Sequence, residues 1–331
     1  MLKSIEPVTY RPLSLNDAFN VEFDGRNLKV EARGEEALQG SLEYLGGEAK
    51  LQLTGSRFEA APLVVEHVFS HFPEIKHVIL RSKDAEASFL ARFTGQDGEA
   101  RISREEFFQL PEPWTRVRSS LREEEWTVTN GVKHPVRPKV EPGVFYRRYV
   151  PAIRKTISFR TVEIERDLER FHYWHNQPRV YELWELNKPI EELKVYLEKG
   201  QKDPHQFPVI LEYDGEPVGY FEFYWAAEDR LGPYYDHAPY DRGFHFLIGE
   251  EKYLGRANTE AAIRSVTHFL FLDDPRTMRI VAEPRADNQR VLKYVQVVPG
   301  WRFIKEFDFP HKRAALVSVR REDFFRNGEA P

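Results

Sequence analysis

One stretch, RGFHFLIGEEKYLGRANTEAAIRSVTHFLF from Arg242 to Phe271, constrains the fold more than any other. An apolar run short enough for a strand enters a glycine-containing turn and leaves it as a helix. With the apolar run from Met278 to Glu283 it reads as a β-turn-α-β unit: strand Gly243 to Gly249, helix Ala257 to Leu272, then a second strand. The first N–H groups of a helix have no partner within it and lie at the positive end of its dipole. They can hold a pyrophosphate without a dedicated lysine. Gly255 allows a ligand to come close there, although the same arrangement also serves as an ordinary strand-helix turn.

A chain of 331 residues has room for two domains. The segment VKHPVRPKVEPGVFYRRY, Val132 to Tyr149, is where they are expected to part, because each proline lacks an N–H donor and restricts its predecessor. The boundary is placed near 145, giving domains 1–145 and 146–331. In the first, AFNVEFDGRNLKVEARG alternates about Asp24-Gly25 and SLEYLGGEAKLQLTG about Gly46-Gly47, two hairpin patterns. A helix from Pro62 to Phe72 and a strand at HVIL follow, so this part is α+β, and it carries no catalytic motif. In the second, Asp167 is positioned to cap a helix bearing Leu168, Phe171 and Trp174, and a further helix runs from Pro189 to Glu198. FPVILEYDGEPVGYFEFYW is a hairpin about Asp214-Gly215, and a turn-rich loop, AAEDRLGPYYDHAPYDR, comes next. A short helix from Asn288 to Val295 and strands near 301–307 and 314–319 complete an α+β domain with a mixed central sheet flanked by helices.

The 48 Lys and Arg against 53 Asp and Glu are interspersed, which excludes the basic stripe that a nucleic-acid binder needs. No run approaches the roughly 20 apolar residues that span a bilayer, and the first residues lack the apolar core of a signal peptide. A cytoplasmic chain acting on small ligands, with no membrane or nucleic-acid partner, is expected. Without cysteine there is no disulfide, thiolate metal site or thiol nucleophile, and His172 and His175 form no HExxH pattern, so no metal is implied. Glu222 lies in the aromatic strand YFEFYW, where it either faces solvent or meets a cation.

The order helix, helix, hairpin, strand, turn, helix, strand, helix, strand pair is that of the GCN5-related (GNAT) acyltransferases. Lys252-Tyr253-Leu254-Gly255-Arg256-Ala257 resembles that family's acyl-CoA loop, Gln/Arg-x-x-Gly-x-Gly/Ala, departing at Lys252. The blocks WHNQPRV, YFEFYWAAEDR, DRGFHFLIGE, EPRADNQR and KEFDFPHKR resemble the siderophore acetyltransferases that acetylate N-hydroxylysine. They cover about residues 145 to 325.

This resemblance implies that acetyl-CoA and an N-hydroxylated amine bind together and form a hydroxamate. It implies His245 as the proton acceptor, an imidazole titrating near neutrality, with Asp287 as an acid that orients His245 or holds the substrate's ammonium, unless it only caps a helix. Ile248, Lys252, Tyr253, Leu254, Gly255, Arg256, Ala257 and Asn288 would surround the acyl-CoA. Trp174, Asn176, Arg179, Trp184 and Glu222 would face the acceptor, Arg179 pairing with a carboxylate. His311 and Lys312 are either a solvated basic face or lie near substrate or a CoA phosphate. The first 145 residues would be a degenerate copy of the same fold, shaping the pocket or the interface of a homodimer. Two other readings stay open: transfer to an ordinary amine such as an aminoglycoside or lysine, and a non-catalytic CoA-binding subunit.

Overall fold

Period-two alternation dominates the start of the chain, and strands form wherever it is clear. The computed structural model describes residues 2–81, 89–95, 99–116 and 123–326. The chain divides into two units, Met1–Val117 with Arg147–Arg154 and Phe325–Pro331, and Arg118–Tyr146 with Lys155–Phe324.

In the first unit, strands β1 (Ile5–Tyr10), β2 (Phe19–Phe23), β3 (Asn27–Ala32), β4 (Glu35–Leu45) and β5 (Glu48–Gly55) follow one another antiparallel. Gly25 at φ 105° and Gly46-Gly47 at φ 56° and 94° make the two turns that the sequence marks. Helix α1 (Ala61–His71) then crosses to β6 (His77–Arg81), which pairs parallel to β5. Strand β7 (Glu99–Ser103) closes a seven-stranded sheet in sequence order, and α2 (Arg104–Phe108) follows. Residues 61–69 of α1 are all buried, as an apolar helix requires.

Strands β8 (Trp126–Thr129) and β9 (Val132–Pro135) form a hairpin, and β10 (Val144–Val150) opens the sheet of the second unit. The prolines of 132–149 therefore exclude strand only from 136–143; both ends of that segment are extended and paired.

The second unit continues with β11 (Lys155–Thr161), α3 (Ile164–His175), α4 (Pro178–Trp184), α5 (Ile190–Lys202), β12 (Gln206–Tyr213), β13 (Glu216–Trp225) and β14 (Arg242–Ile248). Helix α6 (Arg256–Asp273), β15 (Arg279–Ala282), α7 (Gln289–Val297), β16 (Trp301–Asp308), β17 (Arg313–Arg320) and α8 (Arg321–Arg326) complete it. The eight-stranded sheet runs β10-β11-β12-β13-β14-β15-β17-β16. Almost every residue of β12 and β13 is buried, because helices cover both faces. On one face Phe171, Trp174, Leu193 and Leu197 of α3 and α5 pack on Tyr220 and Leu247. On the other, Phe269 of α6 stacks on Phe223.

Asp167 does not cap α3. It sits one turn inside, fully buried, where both its oxygens accept from Arg160 at 2.6 and 2.7 Å while Arg160 also donates to Glu212 at 2.7 Å. That triad ties β11, α3 and β12 together. Among the described residues, no helix is long and apolar enough to cross a membrane.

Candidate active site

β13 and β14 stay paired from Gly219↔Ile248 to Trp225↔Arg242. β14 and β15 are parallel and pair only at Arg242↔Ile280 and Gly243↔Val281, after which they part. At Phe244, His245 and Phe246 β14 faces a cleft of about 950 Å³. Glycine at 243 serves this opening: a Cβ there would lie 2.2 Å from the Tyr224 ring, which crosses β14 to place its hydroxyl on Glu283 at 2.8 Å.

His245 stands in the middle of the parting strand. Glu222 is its cross-strand partner in the register, so the two share a face, and the His245 Nδ1–H donates to Glu222 Oε2 at 3.0 Å. Nε2–H donates to Glu283 Oε1 at 2.9 Å, from just beyond the end of β15. An imidazole bonded at both nitrogens to carboxylates carries both protons. Burial works against that charge, but the Glu283 charge and the hydrogen bonds to both acids outweigh it, and His245 is pushed up to about 10. It is an imidazolium at neutral pH, not the neutral base expected from an imidazole titrating near 6.5. Burial would raise Glu283, yet His245, Lys312 and Arg230 hold its carboxyl well below the usual range. Glu222 is lowered as well, against its burial, by His245 and by the hydroxyls of Tyr196 and Tyr220, which donate to Oε1. The cation that Glu222 was expected to meet is His245.

The second element of the site is the start of α6. Gly255 has φ 137° and ψ 162°, a region open essentially to glycine alone. A Cβ there would meet nothing within 4 Å, so backbone conformation and not crowding calls for glycine. No side chain caps α6 and no acid lies in its first turn, while Gly255, Arg256 and Ala257 are exposed. The first N–H groups are thus free to receive an anionic group. Lys252 Nζ pairs with Glu216 at 2.5 Å and the Tyr253 hydroxyl donates to the same carboxylate at 2.8 Å, fixing the turn to the start of β13.

A strand that parts from its parallel neighbour and runs into an uncapped helix is a shape with relatives. Residues 163–309 match the family model described as an acetyltransferase (GNAT) domain. The N(6)-hydroxylysine O-acetyltransferase of Escherichia coli is 40% identical over 266 residues, covering 79% of this chain and 83% of that enzyme. The chain belongs to the GNAT acetyltransferases. Within them it falls in the branch of the hydroxylysine and hydroxyornithine enzymes. The N(5)-hydroxyornithine:cis-anhydromevalonyl coenzyme A-N(5)-transacylase of Beauveria bassiana is 44% identical over 197 residues, 58% of this chain and 43% of that longer enzyme. A crystal structure of a protein from Bacillus halodurans superposes with a TM-score of 0.54 at 28% identity, over 57% of this chain and 98% of that one.

As a GNAT acyltransferase the chain takes its acyl group from an acyl-CoA, and two features suit such a ligand: the exposed start of α6, with a glycine that has open space beside it, and the cleft lined by Phe244, His245 and Phe246 of β14 and Ile263 of α6. Of the residues expected about the acceptor, the structure brings Trp184 to the cleft, its ring edge-on to His245 at 6.3 Å, together with Glu222. It does not bring Trp174, Asn176 or Arg179. Trp174 is wholly buried against Gly249, whose Cβ would lie 2.1 Å from the indole, and its Nε1–H donates to Glu250 at 3.0 Å. Arg179 donates to the carbonyls of Ile248 and Gly249 at 2.8 and 2.5 Å, and Asn176 to those of His172 and Lys188. These residues hold the end of β14 and its approach to the turn.

Asn288 lines the cleft and caps α7, its side chain accepting from Val291 N at 3.2 Å. Asp287 is 71% exposed and paired with Arg285, so it does not orient His245. Glu283, four residues earlier in the same EPRADNQR block, occupies that place. Its signal in the sequence was a carboxylate directly after the apolar run IVA, where a strand end delivers a side chain to a site.

Proposed function

We propose that this chain transfers the acetyl group of acetyl-CoA to the nitrogen of an N-hydroxylated alkylamine, forming the hydroxamate of an iron-chelating siderophore. The observation that carries the reading is the row Glu222–His245–Glu283 set where β14 leaves β15. Bound acetyl-CoA supplies the thioester carbonyl that the nitrogen attacks. The reaction forms a C–N bond, breaks a C–S bond and moves one proton from nitrogen to sulfur. A hydroxylamine arrives largely neutral, unlike an alkylamine near 10.4, so the site has no proton to remove before attack. It needs an acceptor afterwards and a donor for the departing side. Glu222 can accept the proton from nitrogen and return it to the departing sulfur, while the His245 imidazolium, its two N–H groups bonded to Glu222 and Glu283, holds Glu222 in place. Trp184 and Tyr196 give the wall an apolar character that suits methylenes.

Support from relatives bears on the acceptor: the names of the two relatives above specify a hydroxylysine and a hydroxyornithine. One is named for O-acylation and the other for N(5)-acylation, and the products separate these. A hydroxamate binds ferric iron through two oxygens and colours with it; an O-ester does not. We expect thiol release from acetyl-CoA with N-hydroxylysine or N-hydroxyornithine, accompanied stoichiometrically by ferric colour, and little release with lysine. Equal rates on lysine and N-hydroxylysine would sink the proposal, and thiol release without ferric colour would shift it to oxygen.

For the first unit we propose a degenerate copy without a catalytic role. Its parallel pair β5 and β6 is bridged by a helix as β14 and β15 are, and Gly55 at φ 150° precedes that helix. There the likeness stops: Ala61 and Leu63 at the start of α1 are buried, and a Cβ on Gly55 would lie 2.3 Å from the Ala37 carbonyl. The start of α1 is thus buried, unlike the exposed start of α6.

A further inference from the structure

From the FPHKR block His311 and Lys312 line the cleft, and so does Arg230, from the loop after β13. Three cations surround the single buried carboxylate of Glu283: His245 Nε2 at 2.9 Å, Arg230 Nη2 at 3.6 Å and Lys312 Nζ at 3.8 Å. Glu283 is already spent on the His245 hydrogen bond, and Lys312 is anchored by donating to the Glu283 carbonyl at 2.7 Å. Arg230 is different. Half its side chain is exposed, and among the described residues its guanidinium makes no hydrogen bond. Both Arg230 and Lys312 lie near the Phe309 ring, at 5.8 and 5.6 Å, which holds them on the cleft wall. Burial first, and then the charges of Arg230 and Lys312, lower the affinity of His311 for a proton. The acids nearby do not cancel these charges: Glu228 is taken by a bidentate pair with Arg137 at 2.6 Å, and Asp229 by His205 and the Leu231 N–H. Glu185, exposed on the same cleft, is the remaining acid.

A planar guanidinium with unmatched N–H groups, backed by a second cation, fits a carboxylate bidentately. We propose that Arg230, supported by Lys312, binds a carboxylate of the acceptor, so that this chain selects an N-hydroxy amino acid over the N-hydroxy diamine of the same length. The inference rests on the reading that the cleft acylates a hydroxylamine. Arg179, to which the sequence would assign this role, is committed to the carbonyls of Ile248 and Gly249.

N6-hydroxylysine and N-hydroxycadaverine differ only by the carboxylate, so the ratio of their kcat/KM values isolates it. For the native protein we expect a ratio of about 10 to 100, the size of a charged hydrogen bond in a partly desolvated site. Arg230→Met should bring the ratio close to 1 even if Arg230's contact with Glu283 lowers both rates, and Arg230→Lys should keep part of it. A native ratio near 1, or a full ratio retained by Arg230→Met, overturns the inference. Calorimetry with the two hydroxamate products reads the subsite without turnover. If neither hydroxylamine is acylated the catalytic reading fails, and the subsite stands or falls on whether the native protein binds the carboxylate-bearing product about 10-fold or more tightly and Arg230→Met does not.

Discussion

Replacing Glu283 by glutamine keeps the shape of the site and removes one charge. In the native site His245 is pushed up to about 10 from 6.5, a preference for the protonated ring of about 5 kcal/mol at about 1.4 kcal/mol per pH unit. Two carboxylates supply that preference against burial, and Glu283 is the larger electrostatic contributor. Its loss removes at least half, leaving His245 in Glu283→Gln to titrate at about 8 or below. A group whose pKa is raised by folding stabilises fully below its unfolded value, and that contribution is lost as pH rises through the folded value. The native contribution therefore fades between 6.5 and 10, and that of the variant is gone by about 8. Urea denaturation should show a gap of about 2–3 kcal/mol between the two near pH 7 that narrows as pH approaches 9.5. Thiol-release rates should add a second readout: an ionisation at about 8 or below in the variant, with none near 6.5 in the native enzyme. A native profile governed by one group near 6.5, or a stability gap equal at pH 7 and 9.5, would refute the imidazolium.

Three further substitutions test the frame around the site. Gly255→Ala puts a side chain where φ is 137°, at a strain of about 1–3 kcal/mol; because nothing crowds a Cβ there, relaxation of the turn should raise the KM for acetyl-CoA at least about 10-fold, and an unchanged KM would remove Gly255 from the binding turn. Asp167→Asn leaves Arg160 buried with half its partners, and chemical denaturation should show a loss of about 3–5 kcal/mol; a loss below about 1 kcal/mol would mean the triad is solvated. Gly249→Ala drives a Cβ to 2.1 Å from the Trp174 ring, so a loss of about 1–3 kcal/mol in a thermal melt, with disturbed acetyl-CoA binding, is expected, and a neutral result would show that the end of β14 is free to move.

Much of the second unit was legible because its signals are local. Asp214-Gly215 takes φ 51° and 82°, the turn that the dipeptide favours, and Gly255 marks the strand-helix turn by the one conformation that other residues avoid. Reading failed where a residue answers to a distant partner. Asp167 has the composition of a cap, but Arg160 on the neighbouring strand draws it into the core. Helix α4 was not separated from its neighbours, although Pro178 at its first position starts a new helix. Trp174 and Arg179 are residue types that often touch ligands, and here they fix a strand end instead.

The site shows the same division more sharply. His245 could be named from its place in the strand before the turn, because strand and turn are one stretch of sequence. Its charge could not, since that depends on two carboxylates brought from 23 and 38 residues away. Glu222 arrives by register, directly opposite His245 in an antiparallel pair, and a hairpin reading can in principle predict it. Glu283 arrives because β15 pairs with β14 for two residues and then leaves, so that the residue after β15 faces across the gap and not along the sheet. No periodicity records where two parallel strands part. That parting opens the cleft and brings up the second carboxylate, and so it decides whether His245 is a neutral ring or a cation held between two acids.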